Sequence, residues 1–349
     1  MTRKHAHRSI MAACTLVALL AAGCAADEGD DQTQQTGSGG GPLIGIAMPT
    51  QQEERWQRDY KYFEEEAAAL GVDIAIQVAD NDSNKQLTQI ESLLTQGVDA
   101  LIIAAVDASA VGPVAQSAVE DDIPVIGYAR TVEDADIDAL VAFDYLAVGE
   151  LAGEYAYELA PEGQYVLLQG DAATLPDVPL YHQGHLNGIQ PGIDSGAIEV
   201  VLDQNCEQWK PEQGLAFTEN ALTEYDNIVG ILAANDGIAS GAIQALEAQG
   251  LAGQVVVTGN DGDLTALQRI VAGTQMATIY QDTRKQAKVA LETALALING
   301  ESVTADSTMN NGLKDVPVVE LQPELVTKES LDEVIIDRGI YTREEVYGQ

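Results

Sequence analysis

The chain has 349 residues, with 55 acidic against 17 basic side chains and a formal net charge of −38 at pH 7. Nucleic acid is excluded as a partner, because that affinity rests on Lys and Arg laid against phosphates. At roughly 100–200 residues per domain the length points to two domains.

At the start of the chain Arg3, Lys4 and Arg8 precede the apolar run Ile10 to Ala22. That pattern reads as a signal peptide, residues 1–23, too short to persist as a membrane-spanning helix. It closes on Leu20-Ala21-Ala22-Gly23-Cys24, which resembles the bacterial lipobox, so Cys24 is expected to carry a lipid and become the new N-terminus. Residues 24–42 then form a tether: from Ala25 to Gly41 there is no apolar side chain larger than Ala, and such a segment cannot bury a core. Cys14 leaves with the signal and Cys24 is modified, which leaves Cys206 alone, without a disulfide partner and best read as a buried or half-buried thiol. Loss of the three leading cations makes the remainder more acidic still, as suits a well-solvated surface facing salt.

Beyond the tether, short apolar runs alternate with stretches of helical spacing. Leu43 to Met48 reads as a buried strand, and Trp56, Tyr60, Phe63, Ala67 and Leu70 then mark one face of a helix that Gly71 ends. Strands follow at Val72 to Val78, Ala100 to Val106 and Pro124 to Tyr128, with helices around Leu87 to Leu94 and Val111 to Val119 between them. The right-handed crossover rule turns this β-α-β-α-β-α-β series into a parallel sheet covered on both faces. After Phe143 the pattern repeats, with strands at Tyr165 to Leu168, Ile198 to Leu202, Ile228 to Ala233, Val255 to Thr258 and Ala277 to Tyr280. The fold class is therefore α/β, two doubly wound parallel-sheet lobes, with a ligand cleft where the carboxyl ends of the strands face each other.

Signs of catalysis are weak. The turn after the first strand reads Pro49-Thr50-Gln51-Gln52-Glu53, without the glycines that let backbone approach a pyrophosphate, and the only glycine cluster, Gly37 to Gly41, lies in the tether. No Walker A loop or Gly-x-Ser-x-Gly elbow occurs. His182 and His185 share a helix face but lack further ligands for a metal, and read as surface or packing residues. Asp121-Asp122 and Asp134-Ala-Asp136 read as solvated loops in so acidic a chain.

Several segments that follow strands carry a resemblance. They are Glu54-Arg55-Trp56-Gln57, Asp134-Ala-Asp-Ile-Asp138, Ala234-Asn235-Asp236 with Gly241-Ala-Ile-Gln-Ala-Leu246, Gly259-Asn-Asp-Gly-Asp-Leu264, Ala272-Gly-Thr-Gln275, and Asn310-Asn-Gly-Leu-Lys-Asp-Val-Pro317. In this order, over nearly all of the chain after the tether, they resemble the xylose-binding branch of the ribose/galactose-type periplasmic sugar-binding family. The resemblance implies the type I periplasmic binding fold: two Rossmann-like lobes joined by a three-segment hinge. One lobe is then 43–143 plus 282–312, and the other 144–281 plus 313–349. It implies a non-catalytic, monomeric receptor, extracytoplasmic and held at the membrane by its lipid, that closes on a monosaccharide and delivers it to an ABC permease and its ATPase, with no cofactor or metal. A sugar-processing enzyme in the same cleft, or a sensor for a membrane receptor, are the alternatives.

A pyranose offers hydroxyls that both donate and accept on its edge and an apolar C–H face, so its site combines Arg, Asp and Asn with flat aromatics. By position in the family pattern Arg55, Arg130, Asn235 and Asp261 would meet hydroxyls or the ring oxygen, and Trp209 would stack on the ring. Trp56 fits either stacking or packing along its helix. The chain departs from the xylose-binding pattern, which has an Asp after the strand-four Tyr and before the Arg, at Tyr128-Ala129-Arg130. Tyr145 replaces an Asn, Gln281 replaces a Lys, and Leu175-Pro-Asp-Val178 replaces an Asn-rich turn, where Asp177 takes over; Asp177 and Gln281 join the expected site. These changes leave xylose, a related pentose, a hexose or a polyol open as ligand.

Overall fold

Runs of β-branched and aliphatic residues with no polar alternation belong in strands buried on both faces, and they occupy the centre of each sheet in the computed structural model, which describes residues 41–348. The expected signal peptide, the expected lipid site at Cys24 and nearly all of the expected tether lie outside the described residues. The first sheet holds β1 (Leu43–Met48), β2 (Asp73–Val78), β3 (Ala100–Ile103), β4 (Val125–Tyr128) and β5 (Ala139–Phe143). Its order is β2-β1-β3-β4-β5, all parallel, with Ile46 registered against Ile76 on one side and Ile102 on the other. Around it lie α1 (Glu54–Leu70), α2 (Ser83–Thr95), α3 (Gly112–Glu120) and α9 (Thr283–Ile298), of which α1 and α9 pack on each other. Gly71 ends α1 in the left-handed conformation, φ 71°, as a glycine can without strain.

The second sheet repeats the plan. β6 (Gly163–Gln169), β7 (Ile198–Asn205), β8 (Ile228–Ala233), β9 (Val256–Asn260) and β10 (Ala277–Tyr280) run parallel in the order β7-β6-β8-β9-β10. The helices α4 (Tyr145–Leu159), α5 (Val178–Ser195), α6 (Pro211–Glu224), α7 (Asp236–Ala248) and α8 (Leu264–Ala272) complete this lobe. Each sheet thus reverses its winding once, between β1 and β3 and between β6 and β8, and loops at the carboxyl ends beside such a reversal form a crevice.

The chain crosses between lobes from β5 to α4 at Asp144, from β10 to α9 at Gln281 and Asp282, and from β12 (Asp315–Leu321) to β13 (Glu324–Thr327) at Gln322 and Pro323. The third crossing corrects the expected boundary of 312/313. β11 (Ser307–Asn310) and β12 form a hairpin on the first sheet, where β12 runs parallel to β5, pairing Val318 with Leu140 and Leu321 with Phe143. Burial explains this: Val316, Val318 and Leu321 all face the first core. Only β13 returns to the second sheet, antiparallel to β10. The tail, ending in α10 (Arg343–Tyr347), buries Leu331, Ile335 and Val346 against Leu267 and Ile270 of α8. Among the described residues no helix is long and apolar enough to cross a membrane.

Candidate sugar-binding site

The two crevices face each other across a small cavity lined by residues of both lobes. Its first-lobe wall starts at the β1–α1 turn, where Glu53 stands at the N-cap position of α1 without a side-chain capping bond, and Arg55 and Trp56 follow in the first helical turn. The Arg55 guanidinium donates to Gln281 Oε1 at 2.7 Å and Gln286 Oε1 at 3.1 Å, with Asp59 Oδ2 3.5 Å and Asp261 Oδ1 3.8 Å away. Burial alone would loosen its proton. Asp59 and Asp261 more than offset that and hold the group charged.

Arg130 follows β4 in a tight turn with Ala129 at φ 57°, and donates from Nη1 to Ala105 O at 2.9 Å. Burial lowers its pKa, and Glu53 opposes the shift. Both guanidinium carbons lie over the Trp56 ring, Arg55 at 4.8 Å and Arg130 at 4.9 Å from its centroid. Trp56 lines the cavity yet is only 2 % exposed, so its ring serves both guanidinium groups and the core.

Across the cavity, Asp177 Oδ2 accepts the Thr131 amide of the first lobe at 2.8 Å, while Oδ1 has no protein partner among the described residues. Burial lifts this carboxyl to about 6 against the pull of that amide and of Arg130. Trp209 sits in the single turn Glu207–Trp209, where Gln208 and Trp209 both hold positive φ, 53° and 58°. Asp171 stabilises the strained turn by accepting Gln208 N at 2.9 Å. Gly170 makes room for the indole: a Cβ there would fall 2.2 Å from the ring. Asn235 caps α7, accepting Ile238 N at 2.8 Å through Oδ1 and leaving its amide nitrogen for the cavity. Asn260 Nδ2 donates to Asp261 Oδ1 at 3.0 Å, and Asn260 Oδ1 has no protein partner. Burial drives the Asp261 carboxyl well above the usual carboxylate range despite Arg55.

Seven of the eight residues expected at the site line this cavity together. Gln281 is the correction: its Oε1 is taken by Arg55, so it stands behind the wall and orients that guanidinium. The sequence reading passed over Glu53, Tyr181 and Asn260, and treated Tyr145 only as a departure. Tyr145 and Tyr181 stack at 4.7 Å between ring centroids, and Tyr181 meets Trp209 edge-on at 6.3 Å. Glu53 and Asn260 adjoin quoted motifs; for Tyr181 the signal was its place one helical turn after Asp177. No cluster of three metal-ligating side chains occurs among the described residues, His182 binds Asp203 at 2.6 Å, and His185 is buried. The arrangement offers fixed donors and acceptors on one edge and flat aromatic faces on another, the surroundings a small polyol ring needs.

The profile of a periplasmic binding protein domain matches residues 44–302. The chain is 40% identical over 304 residues to the D-xylose-binding periplasmic protein of Escherichia coli K12, covering 87% of this chain and 92% of the relative. It is 38% identical to that of Haemophilus influenzae, over 305 residues and the same shares of each chain. Among solved structures, an ABC transporter solute-binding protein from Clostridium phytofermentans with bound β-D-glucose superposes with a TM-score of 0.80 at 26% identity, over 87% of this chain and 99% of that one. With its duplicated sheets, three crossings and matching profile, the chain belongs to the periplasmic binding protein family, on the type I fold.

Proposed function

We propose that this protein is the substrate-binding component of an ABC importer and closes its lobes on a neutral monosaccharide or polyol: xylose, a related pentose, a hexose or a cyclic polyol. The observation that carries the reading is the cavity itself, in which Arg55 and Arg130 of one lobe face Asp177, Asn235, Asp261 and Trp209 of the other. Closure follows from contacts that one ligand makes to both lobes at once.

Calorimetry against xylose, ribose, arabinose, glucose, galactose, xylitol and myo-inositol tests this. Wild type should bind at least one, and the sugar should be recovered chemically unchanged. Asp261→Ala should cost roughly 1.5–3 kcal/mol, about one to two decades in affinity, and Trp209→Ala a similar amount, with each apo-protein still folded. Unchanged affinity in both variants would sink the site; no binding by wild type would sink the sugar reading.

The Gly23-Cys24 junction and the polar tether support a lipid anchor on the outer face of the membrane, with a monomeric receptor docking on the permease. Cys24→Ser should release folded protein into soluble fractions and abolish labelling by a fatty-acid analogue. Labelling that persists in this variant would overturn the anchor.

A further inference from the structure

The helix that brings Arg55 to the cavity also carries Glu54 and Arg58, and these two turn toward the other lobe. Arg58 is 9 % exposed and reaches the β9–α8 turn: Nη2 donates to Asp261 O at 2.6 Å, and Nη1 lies 3.4 Å from Gly262 O and 3.3 Å from Asp263 Oδ1. Nη1 also donates to the Tyr341 hydroxyl of the tail at 2.7 Å. Glu54 Oε1 accepts the Leu264 amide at 2.9 Å and the Tyr341 hydroxyl at 2.5 Å, and stands 3.6 Å from Arg58. Every partner outside α1 belongs to the second lobe. None of Glu54, Arg58 and Tyr341 lines the sugar cavity.

One contact joins this cluster to the site. Asp261, whose carboxylate faces the cavity, holds a backbone φ of 105°, a conformation that side chains other than glycine seldom adopt. Its own amide is fixed within the lobe by Ile279 O at 2.9 Å, but its carbonyl is held from the opposite lobe by Arg58. Lobe closure and the presentation of the Asp261 carboxylate therefore depend on the same guanidinium.

We propose that Arg58, braced by Glu54 and Tyr341, is a positioning residue: an interlobe clamp that sets the lifetime of the closed state for every sugar the cavity accepts, without choosing among them. The inference rests on the sugar-binding reading for its effect on affinity, but the clamp is a property of the protein alone. Arg58 touches only protein, and its main effect falls on lobe closure, a step that every ligand shares. Breaking a buried, charge-assisted contact acts chiefly on dissociation.

The test uses Arg58→Met, Arg58→Lys and Tyr341→Phe in the chain released by Cys24→Ser, with stopped-flow and calorimetry on two or more panel sugars. Arg58→Met should weaken all of them by about tenfold or more through a faster off-rate, with the ratio between sugars held within about twofold. Arg58→Lys, which keeps the charge but loses the fork, should recover part of the loss. Unchanged affinity, or altered ratios between sugars, would overturn the clamp. Hydrogen exchange in the ligand-free protein separates this from failure of the sugar reading. The Leu264 amide, held by Glu54 across the lobes, should exchange faster in Arg58→Met and Tyr341→Phe, while the Asp261 amide, held within its lobe, should not. Equal exchange at Leu264 in wild type and both variants would overturn the proposal whether or not any sugar binds. Should Arg58→Met fail to fold, Tyr341→Phe decides by the same readouts.

Discussion

His185 is buried at a close helix contact in the second lobe. Gly149 and Gly153 of α4 face Gly184 and Gly188 of α5 so closely that a Cβ on Gly184 would fall 2.2 Å from Leu146 O, and one on Gly149 2.2 Å from Tyr181 O. The imidazole beside them is 1 % exposed, and its Nδ1 finds no protein partner. Burial, aided by His182, pushes its pKa down to about 3 from an ordinary 6.5. The unfolded chain therefore takes up this proton first. The contribution of His185 to stability is whole above the unfolded value and is lost as the pH falls from there toward the folded one, by about 2 kcal/mol at about pH 5. Buried carboxyls whose pKa is raised, Asp177 to about 6 and Asp263 to about 7, act in the opposite direction over the same range. Denaturant unfolding of wild type and His185→Gln at about pH 7 and about pH 5 isolates the histidine, since the carboxyls are common to both. The variant should lose about 2 kcal/mol less than wild type over that interval; parallel losses would show that the ring is already protonated in the folded protein.

At the scale of elements, legibility followed burial. β8 and β10 lie where the apolar runs Ile228–Ala233 and Ala277–Tyr280 placed them, and β1 likewise, because these strands are covered on both faces and show no competing period. β5 escaped notice although all of Ala139–Phe143 is buried. It follows β4 through a loop with no intervening helix, which breaks the β-α rhythm on which the reading relied. The edge hairpin escaped too, since the largely exposed Ser307–Asn310 carries almost no apolar signal. Periodicity could not reveal the crossings, which are contacts between distant segments; resemblance supplied them and misplaced only the third. The site was legible where a residue follows a strand, as Arg55, Arg130, Asn235 and Asp261 do. It was illegible at Tyr181, which lies nearly a turn inside α5 and well past the end of the preceding strand. Gln281 follows a strand as well, and failed because position after a strand does not say which neighbour claims the amide.

For the whole molecule the dominant electrostatic fact is the excess of 55 acidic over 17 basic side chains. The cations are largely spent on local pairs: Lys85 on Asp80, Arg284 on Glu65 and Glu66, Lys314 on Asp136, Arg338 on Glu324 and Arg343 on Asp332. By count the acidic side chains far exceed the cations that could pair with them, and their repulsion opposes the compact state. Added salt acts on both populations, shortening the screening length from about 30 Å at about 0.01 M to about 3 Å at about 1 M. Screening the exposed pairs costs at most about 1 kcal/mol each and often nothing, whereas relief of repulsion extends over every uncompensated carboxylate. The net effect should be stabilising, so the melting temperature should climb steadily with sodium chloride across this range, by several degrees. Contacts to a neutral sugar are buried and bring no net charge, so its affinity should change by less than about threefold over the same interval. Scanning calorimetry with parallel sugar titrations at each salt concentration measures both. A melting temperature that stays level or falls would mean that the surface pairs outweigh the repulsion, and a steep loss of sugar affinity would mean that the charged groups of the site are not shielded from salt.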